Sequence, residues 1–142
     1  MKLLIDTNVI LDMVLNRDGC DISMELFRKV KETGASAYIT ASSVTDIFYI
    51  IRKETHDTNR TYVIMENIFR LVAVLSVTEK DIHDAFEKKW KDFEDCVQYM
   101  TGKNSRMDYI ITANCKDYAN ALLPVMTPST WIEMNDGMQK KN

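Results

Sequence analysis

Apolar residues in this chain fall either in short continuous runs or in longer stretches where they recur at helical spacing. The short runs predict strands at residues 3–5, 37–40, 71–77 and 109–112, with a short fifth at residues 125–126. The helical spacing predicts helices over residues 8–15, 21–32, 42–53, 58–69 and 78–90, and two more that begin near residues 92 and 128. Because the strands alternate with helices, we expect an α/β fold in which helices cover both faces of a parallel sheet.

The length of 142 residues predicts one domain over the whole chain, with a polar, frayed tail after about Asn135. Hydrophobic residues make up 46% of the chain and charged residues 27%, which is typical of a globular protein with a real core. The formal net charge of −3 disfavours a broad basic surface for nucleic acid. It still allows a local basic rim beside an acidic pocket.

The cysteines and the lengths of the apolar stretches indicate the cellular compartment of the protein. The chain has three cysteines and no C-x-x-C spacing, which argues against a disulfide framework and against a thiolate zinc site. No apolar stretch approaches the roughly 20 residues of a membrane helix. We therefore expect a cytoplasmic protein that does not enter a membrane.

Four aspartates lie near the predicted ends of strands or starts of helices, at Asp6, Asp46, Asp95 and Asp117. Because the carboxyl ends of parallel strands meet at one edge of a sheet, we expect these carboxylates to gather there. Carboxylate oxygens are the ligands that Mg²⁺ and Mn²⁺ prefer. The sequence therefore predicts an acidic metal site.

Each aspartate also has a purely structural explanation. Asp6 can cap the following helix, and the negative charge of Asp46 suits a helix N-terminus, although the apolar helix around it favours a functional role. Asp95 lies among several acids at a helix start, a common pattern. Asp117 and Asn114 are equally well placed in one loop, where either can be a turn residue.

Several neighbouring polar residues have ordinary explanations. Asp92 is expected to cap its helix, and Glu94 to face solvent. His56 and His83 lack a serine or cysteine context for nucleophilic catalysis and are expected at the surface.

Four polar-ended segments stand out along the chain: LIDTNVILD at residues 4–12, ASSVTD at residues 41–46, DFEDCVQ at residues 92–98 and MDYIITANCKDY at residues 107–118. In this order they resemble the motifs of the PIN-domain family of metal-dependent ribonucleases. The resemblance runs from residue 2 to about residue 132 and implies a three-layer α/β/α sandwich with a central parallel sheet.

The resemblance also implies a set of metal-binding acids. Asp6, Asp46 and Asp95 match the core positions of the family. The fourth family position falls on Asn114, where many members carry aspartate, and Asp117 is the nearby acid. The second position is more often glutamate, so Asp46 shortens the reach by about one methylene, a gap that a water can bridge.

The implied activity is hydrolysis of single-stranded RNA phosphodiesters with Mg²⁺ or Mn²⁺, in which carboxylates hold the ions and one takes a proton from water. Asn8 and Thr112 are candidates for orienting the water or the phosphate. The candidates for steering the RNA backbone, for which solvated surface charge is the favoured explanation, are Arg52, Lys53, Lys103 and Arg106. Many bacterial members are toxins silenced by a small antitoxin, which makes an antitoxin a candidate partner.

Other hypotheses stay open at this point. A catalytically degenerate PIN-fold module that binds RNA or protein is motivated by Asn114 and the acidic balance. A phosphorylated-aspartate enzyme or receiver domain is a third class, with a poor match around Asp6. A homodimer would use an apolar patch of Phe48, Tyr49, Tyr62 and Phe69, although core burial explains the same residues.

Overall fold

The computed structural model describes residues 1–140 and is built around one parallel sheet. Its strands are Lys2–Ile5 (β1), Ser36–Thr40 (β2), Ala73–Leu75 (β3), Tyr109–Ile111 (β4) and Val125–Met126 (β5). They are ordered β3-β2-β1-β4-β5, and every neighbouring pair is parallel. The strand order therefore reverses beside β1, and a crevice is expected at the carboxyl ends there.

Helices cover both faces of the sheet. In the described residues they are Thr7–Val14 (α1), Cys20–Thr33 (α2), Ala41–Thr55 (α3), Thr58–Leu71 (α4), Glu79–Lys88 (α5), Phe93–Asn104 (α6) and Pro128–Gln139 (α7). Side chains alternate along β1, so Leu3 and Ile5 enter a core shared with α1–α4 and α7, whereas Leu4 enters a second core shared with α5 and α6. This arrangement confirms the predicted three-layer α/β/α sandwich.

Two local predictions differ from the structure in the middle of the chain. The third strand, predicted for residues 71–77, is limited to Ala73–Leu75, because Leu71 still belongs to α4 and β3 lies at the sheet edge. A short 3-10 helix at Cys115–Tyr118 was not predicted, since its residues carry no helical apolar pattern.

The last helix is longer than the sequence suggested. Where a frayed tail was predicted after Asn135, α7 continues to Gln139. Asp136 pairs with the buried Lys29 of α2, so a tertiary contact holds these turns. Residues 141–142, the end of the predicted tail, lie outside the described residues.

Within the part of the chain that the structure describes, none of the helices combines the length and apolar character needed to cross a bilayer.

Candidate active site

A cleft of about 750 Å³ opens at the carboxyl ends of the strands. The carboxylates that line it are Asp6, Asp46, Asp92, Glu94, Asp95 and Asp117. Among the described residues of its lining, none is a lysine, an arginine or a histidine. The four aspartates singled out in the sequence are therefore brought together, and Asp92 and Glu94 join them.

Helix starts position most of these acids. Asp6 is the N-cap of α1, and Asp46 lies in the second turn of α3. Asp92 is the N-cap of α6, as predicted, and its side chain accepts a hydrogen bond from the Asp95 backbone N–H at 3.0 Å. The partial positive charge at a helix N-terminus favours carboxylates there. Three helices thus direct their N-terminal ends towards one cleft.

Asp6 is 4% exposed and held on several sides. Its Oδ1 accepts hydrogen bonds from the Thr7 backbone N–H at 2.7 Å and from Gln98 Nε2 at 3.0 Å. Its Oδ2 accepts from the Thr112 hydroxyl at 2.8 Å. A carboxylate offers about four acceptor positions, so three fixed donors leave room for one further ligand.

Gln98 was missed by the sequence analysis. It lies three positions after Asp95 on α6, so both side chains face the same way, and this helical spacing is the signal that would have found it. Gln98 is 5% exposed, and its Oε1 has no hydrogen-bond partner among the described residues. The site thus contains a buried acceptor in need of a donor or a cation.

Asp95 has the most perturbed carboxyl in the cleft. Burial, together with the charges of Asp6, Asp92 and Asp117, raises its pKa to about 7. The Tyr118 hydroxyl donates to Asp95 Oδ1 at 3.4 Å and opposes this rise. Burial first, and then the charges of Asp6 and Asp95, raise the pKa of Tyr118 itself, which keeps the phenol a donor. A cation in this site would offset the electrostatic repulsion between Asp95 and the neighbouring carboxylates.

Asp46 and Glu94 face one another across the cleft. The charge of Asp46 is the main cause that raises the pKa of Glu94, with burial and Asp92 adding to it. Asp46 is half-buried and Glu94 exposed, so Glu94 does face solvent as predicted, but it does so at the edge of the site. Sequence alone gave no sign of this, because the two residues lie on different helices.

The loop after β4 supplies the remaining polar groups. Asp117 lines the cleft, whereas Asn114 contacts it indirectly, by donating from Nδ2 to Asp117 Oδ2 at 3.1 Å. Asn8 lines the cleft, and its Oδ1 accepts from the Ala113 backbone N–H at 3.4 Å. Thr112 is fully buried, so its hydroxyl is committed to Asp6 rather than exposed to a substrate.

The donor set fits a hard divalent cation that keeps part of its water shell. Among the described residues, no three carboxylates converge closely enough to cage an ion by themselves. Mg²⁺ typically binds through one or two carboxylates and retains several waters, which suits an open cleft with a free buried acceptor at Gln98. Asp6 and Asp95 are the residues that would hold such an ion, because the charge of Asp6 is the largest carboxylate contribution to the raised pKa of Asp95, ahead of Asp92 and Asp117.

The four basic residues suggested for steering RNA are not brought to the cleft. Arg52 and Lys53 lie in the last turn of α3, Lys103 in the last turn of α6, and Arg106 just beyond it. The acids occupy the opposite ends of these helices. At 1.5 Å per residue, Asp95 and Lys103 are separated by roughly 12 Å along the helix axis.

Three other residues considered in the sequence are at the surface. His56 and His83 are exposed, as predicted, and neither belongs to the cleft lining. Tyr49 is 66% exposed and lines the cleft, so the expectation that core burial accounts for this side chain is wrong.

Comparison with known proteins agrees with the geometry. The family model of the PIN domain matches residues 2–116. Since this match covers most of the chain, the protein belongs to the PIN domain family. The family match removes the basis for a receiver-like or phosphohydrolase alternative. No match to this chain is found among curated protein sequences.

Solved structures share the fold at low sequence identity. VapBC-1 from nontypeable Haemophilus influenzae gives a TM-score of 0.71 at 13% identity, with coverage of 91% of this chain and 99% of that chain. A toxin-antitoxin complex from Klebsiella pneumoniae gives 0.63 at 21% identity, with coverage of 89% and 97%. VapC20 from Mycobacterium tuberculosis, described as a Sarcin-Ricin loop cleaving toxin, gives 0.64 at 10% identity, with coverage of 83% and 94%.

Proposed function

We propose that this PIN-domain protein is a metal-dependent endoribonuclease that hydrolyses phosphodiester bonds in single-stranded RNA. The observation that carries the proposal is the raised pKa of Asp95 within a cleft lined by carboxylates. Burial of a carboxylate beside others of the same charge costs stability unless a cation offsets it, and perturbed groups in a cleft mark functional sites. The fold shared with a Sarcin-Ricin loop cleaving toxin supports RNA as the substrate class.

Different residues of the site have different roles in this proposal. Bound Mg²⁺ or Mn²⁺ supplies positive charge against the scissile phosphate and acidifies water. Asp6, fixed by Gln98 and Thr112, holds its carboxylate at one orientation. Asp117, fixed by Asn114, presents a second carboxylate. Asp46 and Glu94 also line the cleft and can accept a proton from the attacking water.

We further propose that the protein is the toxin of a toxin–antitoxin pair, acting in the cytoplasm. The similar structures include toxin-antitoxin complexes from Klebsiella pneumoniae and Haemophilus influenzae. An antitoxin that covers the cleft would need cationic side chains, because the described lining is anionic without a compensating base.

The experiment that tests the nuclease is cleavage of a fluorescent single-stranded RNA with Mn²⁺. Asp6→Asn keeps the size of the side chain and removes its charge, so we expect a loss of about 100-fold or more. Asp18→Asn, an exposed acid in the turn before α2, is the matched control and should cleave like wild type. EDTA should abolish cleavage by both active proteins.

The alternative is a catalytically degenerate module that binds RNA or protein. Its motivation is Asn114, which stands where many family members carry an acid. If wild type, Asp6→Asn and the EDTA sample are equally inactive over a panel of RNAs, the nuclease proposal fails and this alternative replaces it. Cleavage by wild type that Asp6→Asn loses would exclude the alternative.

A further inference from the structure

A second cavity of about 480 Å³ adjoins the acidic cleft. Asp92 and Asp117 line both, so the two cavities are adjacent. The remaining residues of this second cavity, here named the lysine pocket, are Trp90, Lys91, Lys116, Ala119 and Asn120.

The lysine pocket concentrates positive charge directly beside the acids. Lys91 and Lys116 are both exposed, and each precedes one of the shared aspartates in the chain. Among the ion pairs formed by residues 1–140, none involves either lysine. Their charge is therefore available to a ligand rather than consumed by Asp92 or Asp117.

An RNA substrate needs a cationic site beside the acidic cleft. The described lining of the acidic cleft has no cationic side chain, so only the ion there can attract the scissile phosphate. The neighbouring phosphates of the same strand would be repelled by the surrounding carboxylates unless cations received them. Since the lysine pocket shares a wall with the cleft, it lies where a neighbouring phosphate leaves the acidic region.

Aromatic packing ties the lysine pocket to the acids. The Trp90 ring stacks on Tyr99 with centroids 5.1 Å apart and 6° between the planes, and meets Tyr118 edge-on at 6.3 Å. Tyr118 in turn donates to Asp95. Lys91 lies in the loop between α5 and α6, directly after a Trp90 ring that is packed on residues of the site.

From this juxtaposition we propose that Lys91 and Lys116 form a subsite for the backbone phosphate of the nucleotide next to the cleaved bond. This inference rests on the proposed nuclease function and adds to it a direction for the RNA strand, from the acidic cleft into the lysine pocket. In this proposal Lys91 and Lys116 take the role for which the sequence offered four other basic residues as candidates.

The first test measures binding without cleavage. A short fluorescein-labelled single-stranded RNA is titrated in Mg²⁺ against the chain carrying Asp6→Asn, at several KCl concentrations. Adding Lys91→Gln and Lys116→Gln should reduce the slope of log affinity against log salt by about 0.7, since the two lysines share one phosphate and each single-strand phosphate contact contributes about 0.7. At about 0.1 M KCl this corresponds to binding weakened about 5-fold.

The matched control neutralises Lys2 and Lys31, both exposed and placed away from the carboxyl ends of the strands. This control changes the net charge by the same amount but removes no lysine from the lysine pocket. It should therefore leave the slope of log affinity against log salt unchanged. If RNA affinity falls equally in both double variants, or falls in neither, the subsite proposal is wrong. Absence of RNA binding by the chain that carries only Asp6→Asn overturns it as well.

A second measurement separates this inference from the nuclease proposal. The active protein cleaves RNAs in which one phosphate beside the cleaved bond is replaced by a neutral methylphosphonate. Lys91→Gln with Lys116→Gln should lower kcat/KM on normal RNA and have little further effect on the neutral linkage. If the lysine variants cleave normal RNA as fast as wild type, the subsite proposal is wrong and the nuclease proposal still stands. Lysine-dependent binding without cleavage refutes the nuclease alone.

Discussion

The Gln98 amide donates a hydrogen bond to the Asp6 carboxylate over 3.0 Å, although 92 positions separate the two residues in the chain. This contact joins α6 to the end of β1 and leaves the other amide atom, Oε1, buried without a partner in the described residues. One side chain thus orients a proposed metal ligand and offers an acceptor to the water around the ion.

Replacing Gln98 by Met tests this relationship. Met has a similar volume and no donor, so the protein should fold while Asp6 loses its restraint. We expect cleavage to fall roughly 10- to 100-fold, as for other partners that orient metal ligands. The Mn²⁺ concentration for half-maximal activity should rise as well. An unchanged Mn²⁺ dependence would show that Gln98 is only a packing residue.

The pKa of Asp95 predicts a pH dependence of stability in the metal-free protein. An ordinary aspartate titrates near 3.8, but that of Asp95 is raised to about 7. Between these values the folded protein binds more protons than the unfolded chain, so stability falls as pH rises from about 4 to about 7. Thermal unfolding in EDTA should therefore give a lower Tm near pH 7 than near pH 5.

Asp95→Asn removes the titrating group and should flatten this part of the pH profile. It should also raise the Tm of the metal-free protein at neutral pH, while Asp18→Asn leaves the profile of wild type. If the Tm of Asp95→Asn still falls steeply as pH rises, another group in the cleft causes the pH dependence.

Close packing of α6 against β1 predicts a stability difference between two glycines. A Cβ on Gly102 would lie 2.8 Å from Leu4 Cδ2, and Leu4 is fully buried. Gly102→Ala should cost about 1 kcal/mol in the free energy of unfolding. Gly137→Ala, in α7 with open space around it, should instead stabilise by up to about 1 kcal/mol. Urea unfolding of both variants measures the difference, and equal shifts would refute the close approach.

The homodimer considered from the sequence would use aromatic side chains on α3 and α4. Tyr62 and Phe69 are 63% and 45% exposed, and Phe48 meets Tyr62 edge-on at 5.0 Å. Core burial accounts for Phe48, which packs half-buried against the core, but not for Tyr62 and Phe69. We expect light scattering over a concentration series to show a dimer, and Tyr62→Glu to shift it to monomer. Wild type that stays monomeric at every concentration would eliminate the proposal.

The layers of the fold were predictable because their signals are local. Leu3, Leu4 and Ile5 form a short apolar run, and the helices that follow carry apolar residues at helical spacing. The 3-10 helix at Cys115–Tyr118 has no such pattern, and the end of α7 depends on the pairing of Asp136 with Lys29. Contacts made between distant segments could not be inferred from either segment alone.

For the candidate site, the sequence by itself determined which acids follow the strands and begin the helices, since parallel strands place all their carboxyl ends at one edge. Only the tertiary structure decided which other side chains meet them. It brought Gln98 to Asp6, set Glu94 against Asp46, and placed Lys91 rather than Lys103 beside the cleft. The physical reason is that helix direction and packing, which arise from contacts across the whole chain, determine which end of each helix faces the site.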